Sequence, residues 1–477
     1  MPGLELSQLE SSHEPSVVQA TCEQALYLEQ LEQRQRGSQL VLPTADQTVR
    51  LWLRTVGEPI TRFGEGPYER RERLRALLAS PALGSTFQKL LKDAIKTTVR
   101  EGGEEEQVLD SEEFFVPGGE ELVKWRRWLV EYSVPRARKR IEEEKRFRRQ
   151  PLEEAQERRQ RLYERASTFA LETSQVGGER PLSACALSPD QSLIATGDFG
   201  GSCKIWSSED CSFLRSLDFH SGRIGSIAFN PDEKSRASLA TCDGGGGIAL
   251  WALDKPAPLS ILSDGAERGH TQRVAQVAFH PSGRLVGSAS FDYSWRLWDC
   301  EGEREVQLQE GHSRPIYSIA FHPDGSLAAT GSLDCHARIW DLRLGRSIWT
   351  LTRGHIKAIL SIAFHPLLPT ICTAGEDGTV RFWDIRKLVP MYVLPAHVAP
   401  VTSVRWTQES LVEERGILLT TASFDGAVKI WSGVDYRPLV SLTGHEGKVM
   451  AADMIAGDRI VTAGSDQTFK LWGPTRM

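Results

Sequence analysis

The stretch GHSRPIYSIAFHPDGSLAATGSLDCHARIWD, residues 311–341, decides how this chain folds. A histidine opens it (His312), a threonine (Thr330) stands four residues before an aspartate (Asp334), and the aspartate stands six before a tryptophan (Trp340). The next stretch repeats the set as His355, Thr373, Asp377 and Trp383. Working outward, Trp206, Trp251, Trp298, Trp340, Trp383, Trp431 and Trp472 follow one another at 45, 47, 42, 43, 48 and 41 residues. Six units open with a histidine: His220, His270, His312, His355, His397 and His445. Five carry the aspartate (Asp292, Asp334, Asp377, Asp425, Asp466), each four residues after a hydroxyl (Ser288, Thr330, Thr373, Thr421, Thr462). A His, a hydroxyl and an Asp could be read as a hydrolase triad. Catalysis needs one singular set, whereas this one recurs unit after unit beside a tryptophan. A hydrogen-bond chain that ties loops to strands in a partly buried place, with every member satisfied, accounts for the recurrence.

This period is that of four-stranded propeller blades, and the units resemble the WD40 family. The expected fold is therefore mostly β: a seven-bladed WD40 β-propeller preceded by an α-helical N-terminal region. The last tryptophan lies five residues from the C-terminus. The seventh blade thus needs an outer strand from upstream, and the segment near 169–174 has a suitable composition. Closing the ring there removes exposed strand edges. Units one and two carry Gly200 and Gly245 where the aspartate belongs, and unit one lacks the opening histidine, so these two blades are expected to be less tightly tied. The longer interval from His397 to Trp431 places a protruding loop around Glu409–Gly416. Two or three residues after the opening histidine, five units carry a base: Arg223, Arg273, Arg314, Lys357 and Lys448. These are candidates for a propeller face that meets an acidic partner surface.

Composition bounds the function classes. Hydrophobic residues at 40% and charged residues at 25% are ordinary for a soluble globular protein. A net charge of −6 does not mark the whole chain as a nucleic-acid binder. No apolar run approaches the ~18–20 residues of a membrane span, and no basic segment with an apolar core opens the chain, so secretion is not expected. Eight cysteines are scattered without a C-x-x-C pair, which fits free thiols in a reducing compartment better than disulfides or a zinc site.

Ahead of the repeats the chain is rich in Glu, Gln, Arg and Leu. Residues 1–41 read as a charged helical or disordered arm, with a helix candidate at Val17–Arg36. Residues 42–80 read as two helices, 81–121 as a linker with an acidic stretch at Glu101–Glu113, 122–166 as an Arg-rich helical segment, and 167–477 as the propeller. The glycines of Gly57-Glu58-Pro59-Ile60-Thr61-Arg62-Phe63-Gly64-Glu65-Gly66-Pro67 do not make a phosphate loop, because there is no Gly-Lys-Ser/Thr and no preceding strand. The run Gly244–Gly247 fails for another reason, since it occupies a blade turn. Leu122–Arg165 holds 15 bases against 8 acids, about +7 inside an acidic protein. Such a helix is either a solvated face or an RNA contact. The arginine excess with Trp125, Trp128, Tyr132 and Phe147 interleaved favours RNA backbone, and Arg136, Arg138, Lys139, Arg140, Arg146, Arg148 and Arg149 are the RNA-binding candidates.

The two-helix segment with Gly57-Glu58-Pro59-Ile60-Thr61 and Phe63-Gly64-Glu65-Gly66-Pro67, followed by Glu69-Arg70-Arg71-Glu72-Arg73-Leu74, resembles the splicing-factor motif of a few pre-mRNA processing factors. Tyr132–Arg140, Ser294–Asp299 and the seven WD40 units extend the likeness to the WD40 proteins of the U4/U6 small nuclear ribonucleoprotein, from about Leu42 onward. The resemblance implies a nuclear, non-enzymatic scaffold of the U4/U6 and tri-snRNP particles in pre-mRNA splicing. Its implied partners are U4/U6 snRNA, a second U4/U6 processing-factor protein, tri-snRNP proteins and, in relatives, a cyclophilin-type isomerase docked on the motif. Gly57, Glu58, Pro59, Phe63, Gly64, Glu65, Gly66, Arg70 and Arg71 are the implied partner-binding residues. No residue is assigned to catalysis, a metal or a cofactor. The competing reading is a WD40 substrate adaptor of a ubiquitin ligase, which would want an F-box-like helical module that the N-terminal motif does not resemble. A fused kinase is disfavoured because the N-terminal part is too short and too helical.

Overall fold

The computed structural model describes residues 46–56, 67–79, 120–149 and 152–475, apart from 233–234, 265–268, 353, 388, 408–416 and 456–458. The helix expected at Val17–Arg36, the acidic stretch at Glu101–Glu113 and the loop at Glu409–Gly416 lie outside these residues. The chain divides into two compact units, Met1–Pro117 and Gly118–Met477.

In the first unit, helix α1 (Asp46–Val56) and helix α2 (Pro67–Ala79) pack together. Val49 and Leu53, one turn apart on α1, meet Leu74 of α2, with Trp52 and Leu77 at the margin.

In the second unit, strands β1–β28 form seven four-stranded antiparallel sheets. Blade one spans Leu182–Asp218 (β2–β5), blade two Ile224–Asp264 (β6–β9), blade three Val274–Glu310 (β10–β13), blade four Ile316–Leu351 (β14–β17), blade five Ile359–Pro395 (β18–β21) and blade six Val401–Thr443 (β22–β25). Blade seven is Val449–Pro474 (β26–β28) completed by β1 (Phe169–Val176). Neighbouring blades cover both faces of each sheet. The second strand of blade three, Leu285–Ser290, is therefore buried at every residue, and it reads as a run of small and apolar groups rather than an alternation. The outer strand Arg304–Glu310 is mostly exposed. Between blades three and four, Leu285, Ala289, Trp295 and Leu297 pack on Ile316, Ile319, Ala328 and Trp340. A Cβ at Gly287 would stand 2.6 Å from Phe321, so glycine lets these two sheets close. Each innermost strand starts with a bulge in its pairing, as between Val274 and Gln276 or Ile316 and Ser318, which strengthens the local twist.

The ring closes where the composition placed it. Strand β1 pairs antiparallel with β28 from Phe169↔Pro474 to Val176↔Thr468, and Thr475 bonds back to the Thr168 carbonyl. Upstream of it, helices α3 (Glu120–Arg148) and α4 (Leu152–Ser167) belong to the same compact unit as the blades. α4 therefore ends one residue inside the region read as propeller. α3 runs through Pro135, which removes one helix N–H.

Candidate functional site

Five blades carry a complete four-residue network. In blade four the Trp340 Nε1–H donates to Thr330 Oγ1 at 2.8 Å, Thr330 Oγ1 lies 2.8 Å from His312 Nε2, and His312 Nδ1 lies 2.9 Å from Asp334 Oδ2. One arrangement of protons satisfies all four groups: a neutral imidazole with its hydrogen on Nδ1, given to Asp334, and a Thr330 hydroxyl given to Nε2. Asp334 also accepts the backbone N–H of Ser313 and His336. Blades three, five, six and seven repeat the chain through His270–Ser288–Asp292–Trp298, His355–Thr373–Asp377–Trp383, His397–Thr421–Asp425–Trp431 and His445–Thr462–Asp466–Trp472. All five hydroxyl residues are fully buried, so none can reach a substrate.

Burial alone would raise the Asp334 carboxyl. The hydrogen bond and charge of His312, with the backbone N–H groups, outweigh it and hold the carboxyl at about 2. Burial lowers His312 against the opposing pull of Asp334. Asp334→Ala will leave His312 Nδ1 buried without its acceptor, at about 1–3 kcal/mol, and the melting temperature will fall by several degrees at pH 7. A depressed carboxyl stabilises the fold above its unfolded value of ~3.9 and loses that contribution as pH falls through the folded value. The gap between wild type and variant will therefore narrow from about pH 4 to about pH 2. Equal melting at pH 7 would refute the assignment.

Blades one and two, expected to be less tightly tied, have an aspartate two residues earlier that holds the turn. In blade two His220 Nε2 lies 2.7 Å from Thr241 Oγ1, and Asp243, two residues ahead of Gly245, takes the missing aspartate's place. Its Oδ1 accepts the Gly245 and Gly247 N–H groups, and its Oδ2 lies 3.1 Å from His220 Nδ1, off the hydrogen-bond direction. In blade one Asp198 accepts the Gly200 and Ser202 N–H groups, and Trp206 still bonds Thr196. The turn keeps the length it has in the tetrad blades, ten residues from hydroxyl to tryptophan, and the carboxylate two residues earlier accepts the N–H group that the tetrad aspartate accepts elsewhere.

The antiparallel register defines two faces. The His-bearing loops and the turns holding the tetrad aspartates share one end of every sheet, here the upper face, since Val274 pairs with Ser290. The turns around His280, His322 and His365 lie at the other end, the lower face. The five candidate bases all belong to the upper face. Arg314, Lys357 and Lys448 are exposed, while Arg223 and Arg273 are half-buried.

The Arg-rich helix belongs to the lower face. Trp125, Trp128 and Leu129 of α3 join the core between blades three and four. The Tyr132 ring stacks on Trp128 and lies 5.5 Å from His280. Arg136 covers Tyr132 and donates to the Pro323 carbonyl. Arg140 Nε reaches both oxygens of Asp324 at 2.9 and 3.0 Å, and its Nη1 donates to the Leu367 carbonyl. Glu144, also buried, takes Arg148 at 2.6 Å, with Arg386 at 3.7 Å. Phe147 packs beside Tyr436 against the core of blades five and six. α4 continues the strap, with Arg159 and Tyr163 on Asp435 and with Leu162 in the core of blades six and seven.

This corrects the RNA candidates. Arg140 is buried and paired with Asp324, so it docks the helix and cannot meet a phosphate; Arg136 and Arg148 are also engaged. Arg138, Lys139, Arg146 and Arg149 stand exposed. Asp324 and Glu144 were missed as site residues because, in sequence, one is an ordinary turn acid and the other an ordinary helix acid. Of the implied partner-binding residues, Gly57, Glu58, Pro59, Phe63, Gly64, Glu65 and Gly66 lie outside the described residues. Arg70 is buried on α2 and Arg71 half-buried.

Three lower-face histidines are held neutral. Burial pushes His280 and His322 down to about 4 and His365 to about 3. Each titrates near ~6.5 when unfolded. Between ~6.5 and 4 the unfolded chain therefore binds more protons, and stability falls as pH falls. The melting temperature will decline across this window; a flat profile from pH 7 to 4 would refute it. Among the described residues no group of three or more His, Cys, Asp or Glu is placed to hold a metal ion, and the seven described cysteines are free thiols.

Seven blades, five of them tied by this network, in a ring closed by an upstream strand, define the WD40 class of β-propeller. The chain belongs to the WD domain, G-beta repeat family, which matches residues 172–207, 211–252, 263–299, 303–341, 345–384, 388–432 and 436–473. Residues 49–77, the α1–α2 pair, match the family described as pre-mRNA processing factor 4 (PRP4) like. The chain is similar to the U4/U6 small nuclear ribonucleoprotein Prp4 of Mus musculus, at 41% identity over 220 residues (45% of this chain, 40% of that protein). It is similar to U4/U6 small nuclear ribonucleoprotein PRP4 of Saccharomyces cerevisiae at 34% over 273 residues, 56% of each. It is also similar to the U4/U6 small nuclear ribonucleoprotein PRP4-like protein of Arabidopsis thaliana at 38% over 247 residues, 52% of this chain and 44% of that one. The chain spans about half the length of the curated relatives it matches.

Proposed function

We propose that this chain is a non-enzymatic scaffold of the U4/U6 small nuclear ribonucleoprotein, acting in the nucleus during pre-mRNA splicing. One observation carries the reading: a PRP4-like helix pair and seven WD40 blades occur on one chain, and that chain is similar to proteins named for this particle. A propeller alone would not do so, because that fold serves many partners. The same observation favours splicing over the ubiquitin-ligase adaptor. In this reading the propeller holds proteins, the α1–α2 pair is a second protein-docking element, and the outward side of α3 meets RNA phosphate. Recovery of the tagged full chain from nuclear extract, with sequencing of the bound RNA, will return U4 and U6. Recovery of cullin and ligase subunits without these RNAs would overturn the assignment.

The RNA interface has its own test. Arg138, Lys139, Arg146 and Arg149 changed together to Ala will lower affinity for a U4/U6 duplex. The salt dependence will flatten by roughly 0.7–0.9 in log–log slope for each phosphate that the variant no longer neutralises. The melting temperature will stay near that of wild type because these side chains are exposed. Unchanged affinity and slope would remove α3 from the RNA interface.

A further inference from the structure

The upper mouth of the central channel carries a pair of cations, Arg223 and Arg273. Arg223 and Arg273 have, among the described residues, no carboxylate within ion-pair distance, and the Nε of each is buried without a hydrogen-bond partner. Both are pre-positioned. The Arg223 guanidinium lies 4.0 Å from the centre of the Phe199 ring, and Arg273 lies 5.0 Å from that of Phe291, which neighbours Tyr317. Their backbone carbonyls are pinned by the Gly244 and Phe291 N–H groups of the adjoining turns. They are close enough for the charge of Arg273, after burial, to disfavour protonation of Arg223. The tetrad aspartates of this face are taken up by histidines, which leaves Glu376 of blade five among the acids lining the mouth.

The surroundings suit a ligand. The mouth opens into a funnel of about 340 Å³ that Arg223 and Tyr317 line together with Ser183, Ser226, Thr402 and Ser403. In blade two the turn position that holds Phe199, Phe291 and Phe424 in blades one, three and six, and Leu333, Glu376 and Ser465 in the others, is Gly244. A Cβ there would make only ordinary contacts with Arg223, at 3.6 Å or more, and packing does not demand the glycine. Its effect is to keep the mouth clear beside Arg223. Across the face, Ile356 and Val398 stand 84% and 102% exposed in the loops that open blades five and six, next to Lys357. Unpaired guanidiniums beside uncovered aliphatic groups match a chain that alternates acidic and apolar residues. They match RNA poorly, since RNA offers no aliphatic side chains.

We infer that the upper channel mouth is a binding site for an acidic, partly apolar segment of a partner protein, whose carboxylates are taken by Arg223 and Arg273. A planar guanidinium can give two hydrogen bonds to one carboxylate, and aromatic stacking fixes its plane beforehand. The site rests on the scaffold reading only in treating the propeller as a holder of proteins; the identity of the RNA does not bear on it.

The test uses the full chain and fluorescence anisotropy with a short labelled peptide of alternating Glu and Leu. Its Gln-for-Glu counterpart and a single-stranded RNA oligonucleotide serve as comparison probes. The acidic peptide will bind, more weakly at high salt, and the Gln peptide will not. Arg223→Gln with Arg273→Gln will weaken binding on the order of ten-fold or more, as expected for losing charge-assisted hydrogen bonds. Arg223→Lys with Arg273→Lys will recover part of it. Gly244→Phe restores the aromatic that three other blades carry at this position and will block the peptide with the fold intact, so a folding defect in the arginine variant cannot decide the matter alone. Absence of acidic-peptide binding by wild type overturns the inference. So does equal binding by wild type and Gly244→Phe, or RNA binding that needs Arg223 and Arg273 while the peptide does not. None of these outcomes touches recovery of U4 and U6 with the chain, which tests the splicing assignment separately.

Discussion

A chain that begins at Gly178 will aggregate and melt early, whereas a chain that begins at Gly118 will remain soluble. Removing β1 strips the outer strand from blade seven and exposes the edge of β28 along the whole run from Thr468 to Pro474. It also removes Phe169 and Leu162, both buried in the cluster that holds Trp472 and Val449. Each such side chain contributes roughly 1.5–3 kcal/mol, against a total stability of about 5–15 kcal/mol for a typical protein. An open strand edge adds a kinetic hazard, because it offers unpaired N–H and C=O groups to another chain. A chain that begins at Ser167 keeps β1 without the helices and separates the two effects. It will close the ring and stay soluble, yet melt below the longer chain. Light scattering during thermal unfolding reads all three. If the chain from Gly178 matched the one from Gly118 in size and melting, closure by β1 would be immaterial.

The second large effect lies under the strap. Asp324→Ala will leave the Arg140 guanidinium buried with its main counter-charge gone, a change that costs about 3–5 kcal/mol when a buried pair is broken from one side. Glu144 cannot compensate: it lies 4.0 Å from Arg140 and is already engaged by Arg148. The cheaper response is release of α3, so protease cleavage and hydrogen exchange will rise in Glu120–Arg148 before the blades unfold. Replacing both partners, Arg140→Met with Asp324→Leu, will be much milder, because no unpaired charge remains. Unaltered protection of α3 in Asp324→Ala would show that Trp128, Leu129 and Tyr132 hold the helix unaided. Under the proposed RNA contact, release of α3 would also cost the exposed bases Arg138, Lys139, Arg146 and Arg149 their fixed spacing for phosphate.

The number of blades, the tetrads and the site of ring closure were legible in the sequence because each is a local pattern repeated at a fixed period. His312, Thr330, Asp334 and Trp340 lie within thirty residues of one another, and their chemistry is the same in five units, so one correct reading serves five times. Blades one and two escaped this logic. Asp198 and Asp243 lie two residues off the pattern, and only the folded turn shows that they reach the same backbone donor as the tetrad aspartates. The role of the Arg-rich helix was decided by tertiary structure alone. On a helical pattern Arg138 and Arg140 are equivalent bases; one faces water and the other a carboxylate 184 residues away. Electrostatic energy depends on distance and burial, and neither is carried by sequence order. The same limit applies to Arg223 and Arg273. Their recurrence after the opening histidines was plain, but that neither has a carboxylate within ion-pair distance among the described residues follows only from where the ring sets them.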